Sequence, residues 1–119
     1  MPHCHSPVAV SSAFLLLALL CAACTSALIG DVTYADGSLQ VPVINSGEST
    51  EALVQVTVFS VKDFHQEEQQ VIQQPVVLRA GENRVRIPLD LPPGSYKLYV
   101  YILKPGERQT ATIRDIVVG

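Results

Sequence analysis

Apolar side chains recur at every second position through much of this chain, which is the periodicity of a β-strand. The clearest example lies between two proline-glycine pairs, Pro93-Gly94 and Pro105-Gly106, and is rich in aromatic and β-branched residues. We predict that it is a central strand of a two-sheet sandwich, with one row of side chains in the core. The inner row is Tyr96, Leu98, Val100 and Ile102, and the outer row is Lys97, Tyr99, Tyr101 and Leu103.

The rest of the chain from residue 31 onward predicts further short strands with turn residues between them, giving about seven strands in all. Residues 62–74 are predicted to be a loop that leads into a short, polar edge strand. The other strands are predicted at 31–34, 39–45, 52–61, 83–91 and 110–118. Their predicted core positions include Leu39, Val41, Val43, Val54, Val56, Val58, Val85, Ile87 and Leu89.

Three residues predict irregularities in these strands. Pro42 predicts a bulge or an edge position, because proline has no N–H to contribute to a ladder, and Pro88 indicates an edge strand for the same reason. Asp115 interrupts the alternation of the last segment, which predicts a bulge there and leaves its register open.

The N-terminal part of the chain has a different composition. No Lys, Arg, Asp or Glu precedes Asp31, and residues 8–23 are apolar or small, as in the hydrophobic region of a secretory signal peptide. We therefore expect an apolar signal or anchor helix within 1–24, a linker at 25–30 and the sandwich at 31–119.

Three interpretations of this N-terminal segment are compatible with the residues. In the first, the small residues before Cys24 form a lipoprotein signal, and Cys24 is lipidated after cleavage. In the second, a signal peptidase cuts after Ala23 or Ala27 and releases a secreted protein. In the third, residues 8–30 remain attached as a membrane-spanning anchor. The first and third predict an extracytoplasmic protein held at the membrane by its N-terminus.

The composition of the chain argues against several kinds of function. The net charge of −3 provides no basic field to attract nucleic acid. The cysteines at positions 4, 21 and 24 all precede the predicted domain, which leaves no thiol for a disulfide or a metal site within it. His65 lies near Asp63, but a metal site needs more ligands than this pair. We find no catalytic motif and predict neither a cofactor nor an enzyme.

The predicted outer row of the central strand is the strongest candidate for a functional surface. If the strand at 52–61 lies beside it, the two strands place an apolar group on one exposed face, which is typical of a contact surface. Ile116 and Val118 join this face if the last strand keeps the same register. Alternatively, residues 62–74 fold over the face and cover it. The predicted partner surface consists of Phe59, Val61, Tyr99, Tyr101 and Leu103.

Several turn and core sequences resemble one known family. These are the Asn-x-Gly-Glu loop at 45–48, the valine-rich strand at 54–58, the segment at 78–83 and the Pro-Gly-Ser-Tyr turn at 93–96. Together they resemble the immunoglobulin-like CARDB domain, and fibronectin type III-like modules are similar in the same way. The resemblance covers about residues 29–119 and implies an antiparallel β-sandwich on a cell surface, with no catalytic residues to transfer.

These observations lead to one main expectation about function and two alternatives. We expect a non-enzymatic, membrane-anchored immunoglobulin-like module with a structural or protein-binding role. The first alternative is a glycan-binding module in which Tyr99 and Tyr101 stack on a sugar. The second is an accessory subunit that docks on a membrane complex through the same face.

Overall fold

The computed structural model describes residues 26–119, which form eight strands and contain no helix. The predicted all-β class is confirmed, and every paired strand is antiparallel to its neighbour. The strands are β1 (Ala27–Ile29), β2 (Thr33–Ala35), β3 (Ser38–Asn45), β4 (Thr50–Lys62), β5 (His65–Leu78), β6 (Gly81–Pro88), β7 (Gly94–Leu103) and β8 (Thr110–Val118).

The strands form two sheets of four strands each. In the first sheet β3 is central, with β6 along one side and both β1 and β2 along the other. In the second sheet the order is β5-β4-β7-β8. The chain therefore crosses between the sheets from β3 to β4, from β5 to β6 and again from β6 to β7.

A hydrophobic core lies between the two sheets and is built from the inward rows that the alternation predicts. Every second residue of the central strands points into it, because successive side chains leave a strand on opposite faces. Removing each of these Val or Leu side chains from water contributes about 1.5–3 kcal/mol to stability. Fully buried members are Leu39, Val41, Val43, Val54, Val56, Val58, Leu78, Ile87, Leu98 and Val100, each at 0% exposure.

The predicted position of β7 at the centre of a sheet is confirmed, since it pairs with β4 on one side and β8 on the other. Tyr96 begins its inner row and is buried. The Tyr96 hydroxyl donates a hydrogen bond of 2.6 Å to the carbonyl of Pro92, in the crossover from the first sheet. The hydroxyl of Tyr34 holds the same crossover by accepting a 3.0 Å hydrogen bond from the N–H of Leu91.

Pro42 lies on a central strand without a bulge, so both alternatives predicted for it are wrong. The N–H of Gly30 donates to the Pro42 carbonyl at 2.9 Å. Because the N–H and C=O of one residue point to the same side of an antiparallel strand, the nitrogen of Pro42 also faces this side. The N–H that proline lacks would therefore point toward residues 30–32, which interrupt the neighbouring strand between β1 and β2. The edge position predicted from Pro88 is confirmed, because β6 pairs only with β3 among the described residues.

The predicted linker at 25–30 contains a strand, which is a correction to the proposed domain boundary. Within β1, Ala27 and Ile29 are buried in the core and pair with Asn45 and Val43 of β3. β1 also accounts for the eighth strand. The three residues of β1 are apolar, like the segment that precedes them. The sequence alone therefore does not show where that segment ends and the sandwich begins.

The prediction of a loop at 62–74 is also wrong. Asp63 and Phe64 form a two-residue turn, and β5 then runs antiparallel to β4 for 14 residues along the edge of the second sheet. The polar, edge character predicted for this strand is confirmed, but the strand is long. Its register shifts between Val58 and Phe59 of β4, which marks a β-bulge in this pair.

β8 pairs with β7 in a continuous register, so no bulge occurs at Asp115. Asp115 lies opposite Lys97 on the outer side, where the two side chains form an ion pair of 3.5 Å. Ile116 and Val118 face inward and pack against the core, so they do not join the outer tyrosines as predicted. A polar pair on the exposed side, rather than a backbone irregularity, explains the break in the alternation.

The predictions for residues 1–24, including the signal or anchor helix and lipidation at Cys24, lie outside the described residues. Within residues 26–119 no helix is long and apolar enough to cross a membrane.

Candidate functional site

The outer face of the second sheet carries the five residues predicted as a partner surface. The pairing of β4 with β7 sets Leu53 opposite Leu103, Gln55 opposite Tyr101 and Thr57 opposite Tyr99. Phe59 and Val61 continue this face of β4, because residues two apart point to the same side. The rings of Phe59 and Tyr99 meet edge to face, with centroids 5.1 Å apart and planes at 60°. The five side chains therefore share one surface, which we call the outer face.

The outer strands β5 and β8 extend this face on both sides. The sequence does not reveal their contributions, because it predicts a loop at 62–74 and leaves the register of β8 open. The alternation of Val71, Pro75 and Val77 is visible in the sequence, but without pairing it does not reveal which face it joins. Exposed apolar residues added to the face are Val71 (49%), Val77 (66%), Ile113 (52%) and Val117 (83%).

One end of the outer face is a shallow apolar concavity. Leu53, Pro75 and Leu103 lie side by side across three strands, and Val77 and Pro105 border them. This is the end at which β4 and β8 begin and β5 and β7 finish.

The middle of the outer face is more polar. The Gln73 amide donates a 2.8 Å hydrogen bond to the amide oxygen of Gln55 across β5 and β4. Beside them, Tyr101 borders a small polar depression together with Gln55 and Gln109. Aromatic and amide side chains therefore lie together at this point.

The outward side of the first sheet differs from the outer face. Gln40, Arg84 and Arg86 lie there, as is usual when one side of a sheet is solvated. An exposed apolar pair, Leu28 and Ile44, lies at one end of it. The long apolar surface is thus confined to the second sheet.

A buried polar cluster lies at the end of the sandwich where residue 26 enters the fold. The Lys104 side chain is only 4% exposed, and its ammonium donates to Asn45 Oδ1 at 2.8 Å and to the Ser26 hydroxyl. It also lies 3.2 Å from Glu107 Oε2. Asn45 Oδ1 accepts a second bond from the N–H of Gly47, and its amide donates to the carbonyls of Glu48 and Leu78.

Glu107 completes this cluster by accepting hydrogen bonds from Ser26. The Ser26 N–H donates to Glu107 Oε1 at 2.7 Å, and the Ser26 hydroxyl lies 2.9 Å from the same oxygen. Partial burial alone would raise the pKa of Glu107, but the bonds from Ser26 and the Lys104 ammonium together hold this pKa below its ordinary value. The cluster therefore fastens the start of the described chain to the loop between β7 and β8.

No acid–base or metal-binding arrangement is visible in the described part of the chain. Residues 26–119 contain no group of three or more His, Cys, Asp or Glu side chains that could hold a metal ion. His65 is exposed beside the turn at Asp63. Every buried side-chain nitrogen and oxygen among the described residues has a hydrogen-bond partner.

Compared with known proteins, the chain matches no family model. No curated protein is significantly similar to it. The class defined by the fold is an all-β protein of two antiparallel sheets.

Proposed function

We propose that this chain is a non-enzymatic, extracytoplasmic immunoglobulin-like module. In this proposal its N-terminal segment holds it at a membrane, and its outer face contacts a protein partner. The uncharged apolar residues 8–23 and the small residues before Cys24 support the membrane attachment.

Two features of the fold support the immunoglobulin-like assignment. The first is the strand order, in which β6 returns beside β3 and β7 beside β4, so that the chain crosses three times between the sheets. The second is the bond from Tyr96 to the carbonyl of Pro92. Immunoglobulin sandwiches contain a tyrosine at the corresponding corner, whose hydroxyl bonds to the backbone a few residues upstream. The narrower CARDB-like assignment rests on the turn sequences at 45–48, 78–83 and 93–96.

The observation that carries the contact role is the presence of exposed apolar side chains from all four strands on one face, which no residue of 26–119 covers. Large exposed apolar patches on small domains usually mark interaction sites. Aromatic side chains such as those of Phe59 and Tyr99 are favoured at the centres of such interfaces.

Matched substitutions on the two outer sides of the sandwich test this role. Leu103 and Ile44 have similar exposures of 37% and 41% but lie on opposite sides. Affinity purification of the full chain from membranes of its source cells is expected to recover a partner. We expect Leu103→Glu to weaken that association by about tenfold or more, because it places a charge in an apolar contact. Ile44→Glu should leave it unchanged, and equal losses in both variants would contradict the proposal.

A glycan-binding role is the second candidate, and the polar depression beside Tyr101 favours it. The tyrosine ring provides a stacking surface, and the amides of Gln55 and Gln109 can donate to and accept from hydroxyls. Glycan-array binding that is lost in Tyr101→Ala and retained in Val77→Glu, outside the depression, would favour this candidate. Recovery of a membrane complex with the full chain would instead identify it as an accessory subunit that uses the same face.

A further inference from the structure

Two tight turns of this fold have closely similar φ angles but different residues at their second position. Asp36-Gly37 joins β2 to β3, and Asp63-Phe64 joins β4 to β5. Both residues of each turn have positive φ, at 52° and 69° in the first and at 50° and 65° in the second. Two-residue hairpin turns of this kind favour Asp-Gly, because glycine adopts positive φ without steric cost. Phe64 therefore occupies a place where glycine is preferred.

Phe64 makes no compensating contact with the rest of residues 26–119. Its side chain is fully exposed, with a relative accessibility of 103%. Every residue from Lys62 to Val71 is exposed as well, so this end of the hairpin extends away from the core. A bulky residue at positive φ is an outlier. Such outliers concentrate at functional sites, where the unfavourable conformation presents a side chain to something else.

The turn lies at the far end of the molecule from the buried cluster around Ser26. Thr50 pairs with Leu78 at one end of β4, and Lys62 pairs with His65 at the other. The 13 residues of β4 place these ends about 40 Å apart at the usual strand rise of about 3.3 Å per residue. Ser26, where the chain continues into the N-terminal segment, lies at the Thr50 end, bonded to Ser46 and Glu107. A membrane that held the N-terminal segment would thus lie at the opposite end from Phe64.

The charges around the turn indicate what kind of surface would accept the phenyl ring. Asp63 lies in the turn and Glu67 and Glu68 follow it on β5, so this end of the hairpin has three acids against one lysine, Lys62. These acids disfavour contact with an anionic lipid surface. They complement a pocket that is rimmed by basic groups, since opposite potentials across an interface speed association and select the partner.

We propose that Phe64 is an anchor residue that inserts into an apolar pocket, rimmed by Lys or Arg, on a protein partner. This contact is separate from the outer face and does not depend on its proposed role. The turn projects the ring beyond the end of the sheet, where a partner can reach it.

Site-specific photocrosslinking of the full chain in its source cells tests the proposal. p-Benzoylphenylalanine is introduced at position 64 and, in a matched control, at position 37. The control turn has closely similar φ angles, lies at the same end of the sandwich and has no heavy atom within 4 Å of the added Cβ. Circular dichroism of both purified variants is used to check that their strand content is unchanged.

The expected result is a protein adduct at position 64 that is absent at position 37. The crosslinked partner peptide should contain apolar residues next to Lys or Arg. The yield of the adduct at position 64 should fall several-fold when Glu67→Gln and Glu68→Gln are combined in the same chain. The proposal would be overturned if position 64 gave no adduct, or only adducts with lipid or with a second copy of this chain. It would also be overturned by equal yields at both positions, or by a yield that the double substitution leaves unchanged.

Discussion

The ammonium of Lys104 donates a 2.8 Å hydrogen bond to the side-chain oxygen of Asn45, and both side chains are buried. Asn45 ends β3 and Lys104 follows β7, so this bond joins the two sheets at one end of the sandwich. Ser26 and Glu107 add their own bonds to the Lys104 ammonium. The start of the described chain is therefore held by polar contacts as well as by the apolar residues of β1.

Replacing Lys104 with methionine should destabilise the fold. The change leaves the partly buried Glu107 carboxylate without its counter-charge and removes one donor from Asn45 Oδ1. We expect a loss of about 2–3 kcal/mol in the free energy of unfolding, below the full effect of breaking a buried pair because Glu107 is 21% exposed. Urea denaturation measures it. Lys97→Met is the control, since the Lys97–Asp115 pair lies at the surface and should contribute less than about 1 kcal/mol.

The lowered pKa of Glu107 predicts how stability depends on pH. A carboxyl whose pKa is lower in the folded state contributes stability above its unfolded pKa of about 4.3 and loses it as the pH falls toward the folded value. The stability difference between the natural chain and Glu107→Gln should therefore be larger at neutral pH than in acid. Urea denaturation of both proteins across this range checks it. A difference that grows as the pH falls below 4 would show that the sign is wrong.

Exchanging the residues of the two hairpin turns should change stability in opposite directions. Phe64→Gly relieves an aromatic residue from positive φ and should raise the free energy of unfolding by about 1 kcal/mol. Gly37→Phe places the same side chain at φ 69° and should lower it by a similar amount. Thermal denaturation of the two variants provides the comparison. No gain in Phe64→Gly would mean that the phenyl ring is stabilised within the fold.

The hydroxyl of Tyr96 should contribute measurably to stability through its bond to Pro92. Tyr96→Phe keeps the buried ring but leaves the Pro92 carbonyl without this donor, which should cost about 1 kcal/mol. Tyr101→Phe, on the half-exposed outer face, should change stability by less than about 0.5 kcal/mol. Equal effects of the two substitutions in urea denaturation would contradict a special role for the corner.

The place of β1 in the core predicts where any cleavage of the N-terminal segment occurs. A mature chain that began at Leu28 would lack the Ser26 bonds to Glu107 and the buried side chain of Ala27. We therefore expect cleavage, if it occurs, between Ala23 and Cys24 rather than after Ala27. Mass spectrometry of the protein purified from its source cells identifies the terminal residue and any lipid on Cys24. A terminus at Leu28 would contradict the prediction.

Local patterns predicted most of the fold. The inner rows of β3, β4, β6 and β7 could be read from alternation, because a half-buried strand repeats every two residues whatever it pairs with. The same rule failed where polar residues replaced that signal. Residues 65–70 form a strand through pairing with β4, although their side chains alone favour a loop.

The candidate surface could be predicted in part for a related reason. Alternation along β7 places Tyr99 and Tyr101 on the same face of that strand. Alternation along β4 does the same for Phe59 and Val61. The register of β8 is needed to show that Ile113 lies on that face and Ile116 on the inner one. A slip of one residue would move every side chain of the strand to the other side.

The sequence by itself determined that this protein is all-β, the inner rows of β3, β4, β6 and β7, and the central strand that carries Tyr96, Tyr99 and Tyr101. Only the tertiary structure decided that Lys104, Asn45, Ser26 and Glu107 meet, and that Phe64 is exposed at the opposite end. Periodicity depends on neighbours within a strand, whereas these relationships depend on how distant strands pair. The free energy that selects this pairing comes from the whole core and not from any single segment.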